Sequence, residues 1–158
     1  MCPMPHPIDV AALGGRWKGT YRLWVMPGEP PHVSQTTASV SSAAGGNFTR
    51  LDYTWDYDGL PQDGSILVGF EEQRAVVVAV WVDSWHMSDK FLLCEGKATG
   101  NGGSAVEFTG SYSAPPGPDW HWRTVLDAPE GALRMRMYNI PPEGAEALAV
   151  EAIYEKAD

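Results

Sequence analysis

The sequence predicts an all-β protein: a single antiparallel up-and-down β-barrel of about ten strands with a short N-terminal helical turn. Short runs rich in Val, Thr, Tyr, Phe and Trp recur along the chain, and dipeptides that favour turns separate them. Consecutive antiparallel strands leave two open edges unless the sheet closes, and closure into a barrel removes both edges. A two-sheet β-sandwich is the alternative, because it would bury the same alternating faces.

The N-terminal segment precedes the first strand. Residues 1–7 are proline-rich, and we expect them to form a flexible tail. A helical turn is expected over residues 7–13, because Pro7 stands at its entrance and Gly14 follows it as a stop signal. This turn would lie as a lid on one end of the barrel. Cys2 falls in the tail and Cys94 in an apolar strand, so we expect two reduced thiols rather than a disulfide.

The remaining residues divide into strands and turns with no sign of a second domain, so the chain is expected to form one domain over residues 1–158. The predicted strands lie near residues 16–25, 33–41, 46–57, 64–71, 74–83, 90–98, 104–113, 120–127, 132–139 and 147–156. The predicted turns are centred on Asp58-Gly59, Asp63-Gly64, Asn101-Gly102-Gly103, the prolines of residues 115–118 and Glu130-Gly131.

Charge and composition exclude several classes of partner. The formal net charge is −9, which argues against the basic surface that nucleic acids or anionic lipids require. We also find no signal peptide and no apolar run as long as a membrane span, so the sequence predicts a cytoplasmic protein. No motif in the chain predicts a cofactor or a metal ion.

The first strand opens with Leu13-x-Gly15-x-Trp17-x-Gly19. This pattern resembles the first-strand signature of the calycin superfamily, which includes lipocalins, fatty-acid-binding proteins and nitrobindin-like haem barrels. The chain is most similar to a bacterial calycin-like family of unknown function, in which Gly69-Phe70 precedes a strand ending at Ser84 and a late strand over residues 146–154 closes the domain. The resemblance implies a barrel that binds a small apolar or amphipathic molecule, with Trp17 closing its floor beneath a basic side chain from a late strand.

The strand near residues 132–139 offers a candidate anion site. Arg134, Arg136 and Tyr138 alternate with Met135 and Met137, so the two sets face opposite sides of the sheet. If the arginines point inward, Arg136 and Tyr138 are similar to the Arg-x-Tyr pair with which fatty-acid-binding proteins hold a carboxylate. The alternative places the methionines inside, which is the commoner arrangement.

The preceding strand poses the same question. Trp120 and Trp122 share one face, while His121 and Arg123 share the other. An inward Arg123 would contribute to binding an anion, and an inward His121 could ligate haem as in nitrobindin-like barrels. A solvent-facing or hydrogen-bonded histidine is the favoured interpretation of His121.

The segment from Asp83 to Asp89 lies between two strands, where the mouth of a barrel is expected. Trp85 and His86 are its candidate ligand-binding residues. An Asp–His pair could transfer protons, and Asp83, His86 and Asp89 could approach one metal ion, but Asp83 could instead cap the turn with side-chain hydrogen bonds. A structural loop is the favoured interpretation.

These observations predict a protein that binds a small hydrophobic or amphipathic ligand in the barrel cavity without transforming it, with a carboxylate as one candidate. The alternatives are a cofactor-independent lyase or isomerase that uses His86 or Asp83, and a structural module with a vestigial pocket. If the arginines of the late strand point inward, Leu133, Met135 and Met137 form an apolar outer strip through which we expect the chain to form a homodimer.

Overall fold

The computed structural model describes residues 7–99 and 105–157. One short α-helix, α1 (Val10–Leu13), precedes ten strands. The strands are β1 (Gly15–Leu23), β2 (His32–Ala43), β3 (Phe48–Tyr57), β4 (Leu60–Glu71), β5 (Val76–Asp83), β6 (Leu92–Ala98), β7 (Val106–Tyr112), β8 (Trp120–Asp127), β9 (Leu133–Ile140) and β10 (Ala147–Lys156). Single 3₁₀ turns over Ala44–Gly46 and Pro129–Gly131 join two of the hairpins.

The ten strands form one closed barrel. Each strand pairs antiparallel with its neighbours in the chain, and β1 pairs with β10 to close the sheet. This last pairing runs from Trp17 opposite Lys156 to Leu23 opposite Val150. The predicted up-and-down barrel is therefore confirmed, and the alternative of a β-sandwich is wrong.

Helix α1 covers the end of the barrel that we call the lower end. The Asp9 side chain accepts a hydrogen bond from the amide of Ala12 and starts the helix. Leu13 is buried in the core, and its carbonyl accepts a hydrogen bond of 2.9 Å from Trp17 Nε1. The ammonium of Lys156, from the last strand, lies 4.7 Å from the centre of the Trp17 ring. The expected lid and the expected basic residue over Trp17 are both confirmed.

Most predicted strands and turns fall where the sequence places them, but the Asp63-Gly64 turn is wrong. Both residues lie inside β4, which starts at Leu60 rather than at residue 64. Gly64 is needed there because the ring of Tyr53 lies against its α-carbon, and a side chain would collide with the Tyr53 hydroxyl. Two expectations lie outside the described residues, namely the tail over residues 1–6 with Cys2 and the turn at Asn101-Gly102-Gly103. Pro7, the last residue of the expected tail, is buried.

Side chains fill the middle and the lower part of the barrel. Large residues that are almost wholly buried include Trp17, Tyr21, Tyr53, Trp81, Phe108, Met135, Met137 and Tyr154. Cys94 is a free and buried thiol, and burial raises its pKa to about 12. No helix in the described ranges is long and apolar enough to cross a membrane.

Candidate functional site

The candidate site lies at the upper end of the barrel, opposite α1, where β5 leads into the loop before β6. Asp83 ends β5, and its Oδ1 atom accepts hydrogen bonds of 2.9 Å from the amides of both Trp85 and His86. The Asp83 carbonyl also accepts the amides of Met87 and Ser88. Asp83 therefore holds the whole turn in place, as the capping interpretation predicts, and fixes Trp85 and His86 above the barrel interior.

The second oxygen of Asp83 points into the core. It accepts a hydrogen bond of 2.6 Å from the Tyr53 hydroxyl and one of 3.3 Å from Trp55 Nε1. The Tyr53 hydroxyl in turn accepts a hydrogen bond of 2.9 Å from Trp81 Nε1. Asp83 is 2% exposed, and four donors, two from β3 and two from the loop after β5, converge on this buried carboxylate.

These contacts favour the ionised form of Asp83. Burial by itself raises the pKa of a carboxyl group, but the contacts with His86 and with the Tyr53 hydroxyl favour the ionised form and lower the pKa of Asp83 below its usual value. Burial, together with the nearby Asp83 carboxylate, raises the pKa of Tyr53 well above its usual value. Asp83 is therefore an anion at neutral pH, and Tyr53 is its neutral donor.

His86 lies inside a cage of indole rings. Its side chain is 8% exposed, and its ring centre lies between 4.8 and 5.6 Å from the ring centres of Trp55, Trp81, Trp85 and Trp122. The Nδ1 atom lies 3.3 Å from Asp83 Oδ1, which is within ion-pair distance but outside hydrogen-bond geometry. The Nε2 atom is buried and has no hydrogen-bond partner.

A cavity of about 220 Å³ lies beside His86. Most of its wall is aromatic or apolar, and it is lined by Trp81, Trp85, His86, Met87, Leu92, Tyr112 and Trp122. The Nε1 atom of Trp122 is a further buried nitrogen without a hydrogen-bond partner, whereas the Tyr112 hydroxyl pairs with Asn139 at 2.5 Å. His86 Nε2 and Trp122 Nε1 thus belong to residues that line one small cavity, and neither His86 Nδ1 nor these two atoms has a hydrogen-bond partner. Buried polar atoms without partners are uncommon in folded proteins.

A larger hollow of about 630 Å³ lies on the outer wall formed by β1 to β4. Polar and charged side chains line much of it, including Arg50 and Asp52. These two residues form an ion pair of 2.9 Å, and Asp52 also accepts a hydrogen bond from Ser65. We place the site in the smaller cavity because its polar atoms are buried and unpaired, whereas these outer groups are exposed and paired.

The structure brings Trp85 and His86 to the cavity but not the four other predicted residues. Arg134, Arg136 and Tyr138 lie on the outer face of the barrel, because Met135 and Met137 occupy the inner face of β9 and are wholly buried. Arg123 lies on the outer face of β8, because its neighbours Trp122 and Thr124 are buried on the inner face. The expected interior clamp for a carboxylate is therefore not formed by these residues. A barrel interior favours the thioethers, since a buried guanidinium would need an internal partner.

On the outer face the arginines are paired with acidic residues. Arg134 binds Asp127 through two hydrogen bonds of 2.9 and 2.6 Å, and Arg136 contacts the same carboxylate at 3.3 Å. Arg123 binds Glu146 at 2.6 Å and lies 4.4 Å from the centre of the Tyr138 ring. These contacts join β8, β9 and the loop before β10 across the outside of the barrel.

The apolar strip that would support a dimer is not on the surface either, since Leu133, Met135 and Met137 all belong to the core. His121 is exposed on the outer face of β8, so it is not placed to ligate a haem inside the barrel. Within the described ranges, no three His, Cys, Asp or Glu side chains come close enough to hold a metal ion, and Asp89 does not join Asp83 and His86.

Sequence reasoning missed most of the cavity wall. Trp81, Leu92, Tyr112 and Trp122 come from four different strands and line the cavity with His86 only in the folded barrel. Trp55, from a fifth strand, packs against the His86 ring. The one usable signal was the shared face of Trp120 and Trp122 in β8. Alternation groups residues by face, but it does not say which loop those residues will meet.

A family model described as "Protein of unknown function (DUF1579)" matches residues 9–156. No curated protein matches the chain. Among solved structures, the chain is similar to one described as "Crystal Structure of Rv2717c from M. tuberculosis", with a TM-score of 0.62 and 13% sequence identity. That alignment covers 94% of this chain and 95% of the other. At this identity the likeness shows a shared fold.

Proposed function

The chain belongs to the family described as Protein of unknown function (DUF1579), and we propose a function for it from the geometry of the cavity. We propose that it binds a small aromatic molecule of one or two rings. The observation that carries this proposal is the aromatic cavity of about 220 Å³ beside His86. Ligand sites are concave and mostly apolar, with a few polar atoms that orient the ligand.

The volume of the cavity limits the size of the ligand. Cavities for drug-sized ligands measure roughly 300–1,000 Å³, whereas an apolar cavity of about 150 Å³ is enough for benzene. The present cavity lies between these values, and the side chains of Tyr21, Tyr53 and Met137 fill the barrel below it. We therefore narrow the expected hydrophobic ligand to a compact aromatic molecule, and we expect no binding of a long-chain fatty acid in this cavity.

The Asp83–His86 pair supports a second candidate function, which is proton transfer without a cofactor. The pair places an ionised carboxylate 3.3 Å from Nδ1 of a buried histidine in the wall of the cavity. This arrangement orients an imidazole for general acid–base chemistry. We rank binding first, because none of the four predicted residues that could have held an anionic substrate reaches the cavity.

Titration calorimetry with p-xylene tests the proposal. We expect saturable binding with a dissociation constant on the order of 0.1 mM, because burial of a single ring supplies only a modest surplus over the cost of association. Leu92→Phe should weaken binding about tenfold or more, since Leu92 lines the cavity. The control is Leu93→Phe, at the neighbouring exposed residue on the outer face, which should leave the affinity unchanged.

Palmitate serves as the test of ligand size and should show no saturable binding. Folded protein that binds no p-xylene, or that loses affinity equally in both leucine variants, would overturn the proposal. The structural module would then be the better interpretation.

A further inference from the structure

We propose that the aromatic ligand carries a hydroxyl group, as a phenol does, and that its oxygen bridges His86 Nε2 and Trp122 Nε1. This inference rests on the proposed function and specifies the chemical class of the ligand. It depends on His86 Nε2 and Trp122 Nε1, which are buried, belong to residues that line the cavity and have no hydrogen-bond partner.

The His86 nitrogen is available as an acceptor. The ionised carboxylate of Asp83 lies 3.3 Å from Nδ1, and its attraction favours the tautomer that carries the proton on Nδ1. In that tautomer, Nε2 presents a lone pair. The titratable groups around this ring include Asp83 from β5, Tyr53 and Tyr21 behind Asp83 in β3 and β1, and Tyr112 across the cavity in β7.

The Trp122 nitrogen is a donor only, because an indole N–H has no lone pair to offer. Its ring centre lies 5.2 Å from that of His86, so the two unpaired atoms belong to adjacent rings. A buried donor or acceptor without a partner costs about 1–3 kcal/mol. A ligand that satisfied both atoms would recover this cost on binding.

A hydroxyl group is the smallest group that satisfies both nitrogens, since it donates one hydrogen bond and accepts another through a single oxygen. A carboxylate only accepts hydrogen bonds, so it would leave neutral Nε2 unpaired and would place a second negative charge near Asp83. An ammonium group only donates and would leave Trp122 unpaired. Phenols resemble the tyrosine side chain, with a pKa of about 10, and remain neutral at physiological pH.

The protein already contains the same arrangement one layer deeper. The phenol of Tyr53 donates a hydrogen bond to Asp83 at 2.6 Å and accepts one from Trp81 Nε1 at 2.9 Å. In the proposed complex, the ligand hydroxyl occupies the equivalent place between His86 and Trp122. The rings of Trp81 and Trp122 are stacked face to face, with centres 5.2 Å apart and planes 12° apart.

Both unpaired nitrogens lie below the surface of the cavity wall in this structure. Binding therefore includes a small rotation of the His86 and Trp122 rings toward the ligand. The free volume beside them provides space for that rotation. The Asp83 hydrogen bonds to the amides of the loop do not depend on it.

The test compares p-cresol, p-xylene and 4-methylanisole by titration calorimetry on the full-length protein. These probes share one ring, but only p-cresol both donates and accepts. We expect p-cresol to bind roughly tenfold more tightly than the other two, because only p-cresol satisfies both nitrogens. In His86→Phe and in Trp122→Phe, the ratio of the p-cresol and p-xylene affinities should fall to about threefold or less.

The outcomes separate this inference from the proposed function. Equal affinities for p-cresol and p-xylene in the wild type would overturn the hydroxyl assignment and leave aromatic binding intact. Tighter binding of p-toluate than of p-cresol at neutral pH would also overturn it, in favour of an anion. Absence of binding by all probes would overturn both proposals. Each variant is first checked for a cooperative unfolding transition, and the ratio of two affinities cancels any loss of folded protein.

Discussion

Asp83 is the residue on which the upper end of the barrel depends. Its carboxylate accepts hydrogen bonds from the Tyr53 hydroxyl, the Trp55 indole and the amides of Trp85 and His86. It thereby ties β3 to the loop that follows β5 and sets the position of His86. The same residue serves stability and the site, because the buried charge is compensated only while all four donors remain in place.

Asp83→Asn should lower the free energy of unfolding by about 3 kcal/mol at neutral pH, because an amide cannot accept all four donors. The folded-state pKa of Asp83 lies below its ordinary value of 3.8. Its stabilising effect is therefore complete above that value and is lost as the pH falls through the folded-state pKa. Urea denaturation should show a constant difference from wild type near neutrality and a shrinking one in acid.

The control for this variant is Asp58→Asn, at an exposed turn residue, which should change stability by less than about 0.5 kcal/mol. A difference between wild type and Asp83→Asn that grew toward acid pH would contradict the assignment of an ionised Asp83.

Strand β9 shows why the alternation of polar and apolar residues does not by itself predict which face of a strand points into the barrel. Its sequence separates two arginines and a tyrosine from two methionines, but it carries no mark of which set faces inward. The neighbouring strands decide this, because Asp127 of β8 lies on the outer face, where it pairs with Arg134 and Arg136. The charge-complementary partner of an outward arginine can be read only once the strand register is known.

We therefore expect opposite results from two adjacent substitutions in β9. Arg136→Gln should leave p-xylene binding within about twofold and cost less than about 1 kcal/mol, since its ion pair with Asp127 is partly exposed. Met137→Gln should cost about 3 kcal/mol, because it buries an amide in the core. Calorimetric titration and urea denaturation measure the two effects. A large loss of binding in Arg136→Gln alone would contradict the outward placement.

The strands themselves were predictable because turn chemistry and β-propensity agree at most hairpins. They disagree at Asp63-Gly64, where a turn-like dipeptide lies inside β4 because the Tyr53 ring excludes any larger residue at Gly64. The loop with Trp85 and His86 was also predictable, since its polar and aromatic residues are adjacent in sequence. Trp55 and Trp122 contact this loop only because the curved sheet brings their strands around a common interior, which no local sequence pattern encodes.

At the scale of the whole molecule, the fold depends on the pairing of the first strand with the last. Seven residue pairs join β1 to β10, and the amide of Ala157 donates a hydrogen bond of 2.9 Å to the carbonyl of Arg16. The C-terminal end of the described chain thus lies against the start of β1. Closure therefore requires contacts between residues that are far apart in sequence.

Deletion of residues 147–158 should abolish cooperative unfolding, because it removes β10 and opens the barrel. A circular permutant is the matched control. It joins the two ends by a glycine–serine linker, opens the chain in the loop between β7 and β8, and keeps all ten strands. We expect it to retain a β-type circular dichroism spectrum and a single urea transition. A truncated chain that still unfolds cooperatively would show that closure is not required.

The closed sheet also determines how copies of this protein can meet in a concentrated solution. Each of the ten strands has a partner on both sides, so the described part of the chain has no edge strand on which another chain could extend the sheet. Apolar side chains such as Phe91 and Leu93 remain exposed on the outside. Any association between folded copies must therefore proceed through side chains, and fibril growth would first require the barrel to open.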